Sequence, residues 1–178
     1  MPRKLKMNEL NRLDVAGFKA SKKAPIVLIL DNIRSALNVG SAFRTADAFK
    51  IANIGLCGIT AQPPHREILK TALGASKSVD WQYFKETTDA IQHYKKEGYT
   101  ILAVEQVKPS ISLEDYQLKQ NEKIALIFGN EVKGVSQEAV SLADAGLEIP
   151  QFGTKHSLNI SVCVGIVVWE FYRKLYFD

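Results

Sequence analysis

The sequence predicts an α/β domain, a mostly parallel sheet with helices on both faces. Continuous apolar runs at residues 26–30, 101–104 and 124–128 suit strands buried on both sides. Segments with helical spacing separate these runs, and strand–helix alternation is the pattern of a parallel sheet covered by helices. The length, 178 residues with 46% hydrophobic and 24% charged, fits one domain with a sizeable core. There is no internal repeat and no low-complexity segment.

Residues 1–24 read as a basic arm ahead of a single domain at 25–178. Leu5, Leu10, Leu13 and Val15 suit a short amphipathic helix, and Ala24-Pro25 ends the arm. The body opens with the strand at 26–30. Residues 38–49 follow as a helix with Phe43, Ala46 and Phe49 as its apolar stripe. A second strand at 51–57 is broken by Gly55 and Gly58, and a helix over 67–73 ends at Gly74. Residues 79–84 alternate as a strand, and 88–97 form a helix that Gly98 stops. Between the strands at 101–104 and 124–128, residues 106–121 are irregular, a loop with one helical turn at 113–116. Ser136 can cap a helix to about Ala143 with Glu138 in its first turn. A short strand at 147–149 ends at Pro150, and a long apolar helix spans 158–175.

Net charge is +4, unevenly placed: residues 1–23 hold seven bases (Arg3, Lys4, Lys6, Arg12, Lys19, Lys22, Lys23) against Glu9 and Asp14. A basic arm on a near-neutral body suits contact with nucleic acid; the alternative is a solvated tail. Cys57 and Cys163 lie in apolar runs and read as buried thiols rather than a disulfide. Three histidines without ligand spacing argue against a metal. The start leads into no secretory signal, and the longest apolar run, 160–169, is half a bilayer span. The expected location is the cytoplasm, with no membrane partner.

Three polar islands sit where candidate strands stop, the place where open α/β sheets bind ligands. The first runs Asn38-Val39-Gly40-Ser41-Ala42-Phe43-Arg44. Asn38 suits a helix cap or a loop brace. Arg44, among small apolar residues, either meets an anion such as phosphate or pairs with Asp47 three residues on. The second, Phe128-Gly129-Asn130-Glu131, lacks the lysine–hydroxyl ending of a P-loop and is no dinucleotide fingerprint. The third joins Ile149-Pro150 and Gly153 to Ser157-Leu158-Asn159. Ser157 suits an N-cap, but Asn159 and Ser161 add more polarity than a cap requires. No Asp or His partner makes a hydrolase triad legible, and His156 reads as a loop residue.

Together these islands resemble, in order, the three motifs of the SpoU/TrmH RNA 2′-O-ribose methyltransferases of the SPOUT superfamily. They are residues 38–49, residues 128–134, and Ile149-Pro150 with Gly153 and residues 157–162. The resemblance covers about residue 24 to the end. It implies a C-terminal deep trefoil knot, an exception to unknotted topology. It also implies a homodimer with its site near the subunit interface, and S-adenosylmethionine held among the knot loops by Gly129, Ile149 and Leu158, with Val104 at a neighbouring strand end. Arg44 then acts on the ribose hydroxyl with help from a substrate phosphate, Glu131, Ser157 and Asn159 hold Arg44 and the ribose, and Asn38 shapes the first loop. No metal is implied. Motif three is most similar to the tRNA Gm18-type branch, so tRNA is the expected substrate. Those members carry an extension beyond the last helix that is not seen before Asp178. Ribosomal RNA, a non-catalytic RNA-binding role, and chemistry on a small nucleotide-like molecule are the rival readings.

Overall fold

The computed structural model describes residues 1–177. Its strands are β1 (Ala24–Asp31), β2 (Ile51–Cys57), β3 (Trp81–Phe84), β4 (Tyr99–Val104), β5 (Ile111–Ser112), β6 (Lys123–Phe128) and β7 (Ala145–Glu148). They form one sheet in the order β3-β2-β1-β6-β4-β7-β5, every pairing parallel. The helices are α1 (Val15–Ala20), α2 (Ala36–Ala48), α3 (Arg66–Ala72), α4 (Ala75–Ser78), α5 (Thr87–Lys96), α6 (Gln137–Leu142) and α7 (Ile160–Tyr176).

The period-two geometry of a strand explains why β1 is apolar throughout. Ile26, Leu28 and Leu30 enter a core shared with α2 and α7, while Val27 and Ile29 enter a second core with α5 and α6. On α7 the residues that reach the first core are Ile160, Val164, Val167, Val168 and Phe171, one stripe at helical spacing. Each such buried Val or Phe contributes about 1.5–3 kcal/mol.

The register sets the strand ends level. Leu30 lies beside Phe128, Phe128 beside Val104, and Val104 beside Leu147. The chain leaves β1 toward β2 on one side, and β6 returns on the other, so β1 and β6 flank a topological switch point. Just beyond it Asp31, 1% exposed, accepts from the Thr87 hydroxyl at 2.5 Å, the Ser136 N–H at 2.8 Å and the Asn32 amide at 2.9 Å. One buried carboxylate thus ties the end of β1 to the starts of α5 and α6.

Four details depart from the sequence reading. Residues 106–121 contain a strand, β5, which pairs with β7, and the 3₁₀ turn Leu113–Asp115 is held to α7 by Lys174 Nζ. Ser136 precedes α6, but its side chain makes no capping bond. The last helix starts at Ile160, capped by Asn159 and not by Ser157, because the Asn159 oxygen reaches the Ser161 N–H. In the arm, α1 is capped by Asp14 and buries Phe18, whereas Leu5, Leu13 and Val15 are exposed.

Candidate active site

A cavity of about 680 Å³ opens where β4, β6 and β7 end, within the usual range for a small-molecule site. Val104, Gly129, Ile149 and Leu158 all line it. Its roof is the turn after β6. Asn130 and Gly134 exchange two backbone hydrogen bonds, at 2.9 and 2.8 Å. The Asn130 side-chain oxygen accepts from the Val132 and Lys133 N–H groups, and its amide donates to Asn32 O at 2.7 Å. The turn folds so closely onto Gly129 that a Cβ there would sit 2.1 Å from the Gly134 carbonyl carbon and the Val135 nitrogen. Only glycine fits. Glu105, just past β4, also lines the cavity and accepts from the Gln106 and Val135 N–H groups. Cys163 completes the wall, and burial pushes its thiol up to about 12, so it is neutral.

A polar clasp joins the three islands. The Glu131 carboxylate accepts from the N–H groups of Arg34 (2.9 Å) and Ser35 (3.0 Å) and from the Asn38 amide (2.9 Å). The Asn38 oxygen accepts from the Asn159 amide at 3.4 Å. Partial burial opposes the Glu131 charge, but these donors outweigh it and hold the carboxyl below its ordinary value. Asn38 is therefore not the cap of α2. Ser35 fills that position, its hydroxyl accepting from the Asn38 N–H, which frees the Asn38 side chain for Glu131.

Arg44 lies elsewhere. It borders a groove of about 500 Å³ between α2 and α3 that also contains Lys70. The Asp47 alternative does not form: Asp47 accepts the Ser78 hydroxyl, and Arg44 makes no ion pair or hydrogen bond among the described residues. Ser157 borders the 680 Å³ cavity but stays exposed, and its hydroxyl bonds to nothing among the described residues. The site thus gathers Glu131, Asn38 and Asn159 but leaves Arg44 and Ser157 outside that network. Sequence reasoning missed Glu105, Ser35 and the bracing role of Asn130; only Asn130, ahead of a glycine turn, carried a local signal. Among the described residues no cluster of His, Cys, Asp and Glu suits a metal, and no helix is long and apolar enough to cross a membrane.

Chemically, one cavity offers apolar walls and backbone groups suited to a flat heterocycle, and the groove offers cations suited to an anion. A sequence model of the SpoU rRNA Methylase family matches residues 25–169. A tRNA (guanosine(18)-2'-O)-methyltransferase of Borreliella burgdorferi is 30% identical over 84% of this chain and 67% of its own length. The 23S rRNA (guanosine-2'-O-)-methyltransferase RlmB of Vibrio vulnificus is 27% identical over 93% of this chain and 66% of its own. A crystal structure of an AdoMet-bound rRNA methyltransferase from Sinorhizobium meliloti superposes with a TM-score of 0.79 at 27% identity, covering 88% of this chain and 59% of that one. The chain thus spans about two thirds of the length of these curated relatives, and less of the solved structure.

Proposed function

The chain belongs to the SpoU rRNA methylase family, and from that premise we propose that it transfers a methyl group from S-adenosylmethionine to a ribose 2′-hydroxyl of RNA. The observation that carries this reading is the 680 Å³ cavity, in which Val104, Gly129, Ile149 and Leu158 converge from four separate segments. Its size and its mixture of apolar side chains and backbone groups suit adenine. tRNA is the favoured substrate, as for the 30% identical relative, and ribosomal RNA is the second reading, favoured by the Vibrio relative. A cytoplasmic location goes with either RNA.

S-adenosylmethionine, held by Val104, Gly129, Ile149 and Leu158, would supply an activated sulfonium methyl for the ribose oxygen, with the neutral thioether as leaving group. Because the leaving group is activated, the protein's task is to position the hydroxyl, exclude water and help its proton leave. A guanidinium is a poor base, so Arg44 anchors a substrate phosphate and polarises the hydroxyl. The hydroxyl proton is released to solvent as the methyl moves. Glu131, Asn38 and Asn159 hold the loop ahead of α2 against the cavity roof, and Ser157 offers a hydroxyl at the rim.

The working unit is a homodimer, with the site near the subunit interface. Two observations support it. Val162, Ile166 and Trp169 leave an apolar stripe on α7 50%, 39% and 47% exposed. Arg44 and the cavity also lie in separate depressions of one chain. A trefoil knot over the C-terminal part is supported by the strand order β6-β4-β7, in which the chain passes from β6 across β4 to β7. Residues 1–24 serve as an RNA-contacting arm on the domain 25–178, supported by their excess of bases.

The test is methyl transfer from labelled S-adenosylmethionine to unmodified tRNA and, separately, ribosomal RNA, followed by nucleoside mass analysis. A 2′-O-methylated nucleoside from tRNA is expected. The same product from ribosomal RNA alone replaces the substrate but keeps the chemistry, and cofactor binding without product from either RNA overturns the reading.

A further inference from the structure

The groove beside Arg44 contains a cation that the three motifs do not include. Gly40 lets α2 touch the backbone of α3: a Cβ there would sit 2.1 Å from Thr71 Oγ1 and 2.5 Å from Ile68 O. That close crossing brings Lys70 of α3 to the groove wall that Arg44 of α2 forms. The Thr71 and Ser41 hydroxyls both donate to Leu37 O, at 2.9 and 3.0 Å, so their protons are committed within the fold. No acidic side chain lines the groove, and neither Arg44 nor Lys70 has an ion-pair or hydrogen-bond partner among the described residues. Two like charges facing one concave space repel until an anion arrives between them.

We propose that Lys70 is a substrate-binding residue that, together with Arg44, grips an RNA phosphodiester in the groove between α2 and α3. This rests on the reading of the protein as an RNA methyltransferase. Arg44 supplies the planar fork that orients phosphate oxygens, and Lys70 supplies a mobile point charge on the opposite wall. The pair fixes the backbone next to the target ribose, so Lys70 acts on how RNA is held and not on the cofactor.

The experiment compares wild type, Lys70→Gln, Lys70→Arg and, as a control on the opposite face of the sheet, Lys96→Gln. Binding of an unmodified tRNA transcript is measured across a salt series, with methyl-transfer kinetics and S-adenosylmethionine affinity measured in parallel. Lys70→Gln is expected to weaken RNA binding several-fold and to flatten the salt slope by about 0.7–0.9, the loss of one phosphate contact. Lys70→Arg restores both, and cofactor affinity is unchanged in all four. A purely structural lysine moves neither the slope nor its rescue by arginine. If Lys70→Gln matches Lys96→Gln, the proposal fails while wild-type transfer still upholds the enzyme reading. If wild type binds RNA without transferring methyl, that reading fails while the slopes still decide Lys70. If wild type binds no RNA, both are overturned.

Discussion

Asp47 lies three residues along α2 from Arg44, yet it accepts the Ser78 hydroxyl, which leaves Arg44 without an ion pair or hydrogen bond among the described residues. Arg44→Ala is expected to lower methyl transfer by about 10²–10³-fold, the usual loss when a positioned donor to developing charge is removed. Calorimetry should find S-adenosylmethionine binding unchanged, because Arg44 does not border the 680 Å³ cavity. A cofactor affinity that falls with the rate would move Arg44 into the cofactor site instead. Glu131 carries a pH signature. The folded carboxyl titrates below its ordinary 4.5, so its stabilisation is complete above about that pH and drains away as pH falls through the folded value. Glu131→Gln should remove that part of the acid slope in denaturant titrations run from pH 6 to 3. Because the side chain is largely exposed, the effect is about 1 kcal/mol. An unchanged acid slope would mean the clasp contributes nothing to stability. Sequence alone offered Glu131 as a candidate but not its partners, since Arg34 and Ser35 lie 97 and 96 residues away and present backbone groups, which no side-chain pattern records.

The elements were legible where burial imposes a period. β1, β2 and β6 are apolar on both faces, and α5 and α7 carry clear stripes, so their places follow from composition and spacing. β5 was not legible, because a two-residue strand has no period to read and Pro109 stands close before it. The start of α7 was misplaced because Ser157 and Asn159 are both good caps. Only the fold shows that Asn159 reaches Ser161 while residues 151–157 run exposed along the rim. The turn after β6 gives the sharpest test at this scale. Gly129→Ala forces a methyl into backbone atoms 2.1 Å away, so the turn must lift. The expected result is a stability loss of about 1–3 kcal/mol in urea unfolding, with cofactor binding weakened more than tenfold as the cavity roof shifts. Unimpaired binding in the folded variant would show that the roof is not part of the cofactor site.

At the scale of the whole molecule the open question is the outer face of α7. The inner stripe is fully used, yet Val162, Ile166 and Trp169 leave a second apolar stripe in solvent, and Phe177 extends it at the helix end. A second copy of the chain is the natural cover, because a two-fold axis lets one self-complementary stripe bury itself. This face adjoins the Arg44 groove: Phe49, which borders the groove, lies 5.9 Å from the Trp169 ring and 5.2 Å from that of Tyr172. Assembly through α7 would therefore set the shape of the groove as well as the size of the particle. Ile166→Glu places an unpaired carboxylate in that interface at a cost of several kcal/mol, about enough to separate the chains at micromolar concentration. Sedimentation should give a dimer for wild type and a monomer for Ile166→Glu, with unchanged circular dichroism because Ile166 is not in the core of the chain. Methyl transfer should fall with dissociation and recover partly at high protein concentration. A variant that sediments as a monomer but retains full transfer would separate catalysis from assembly and confine the complete site to one chain. A wild type that is itself monomeric would assign the stripe to some other cover.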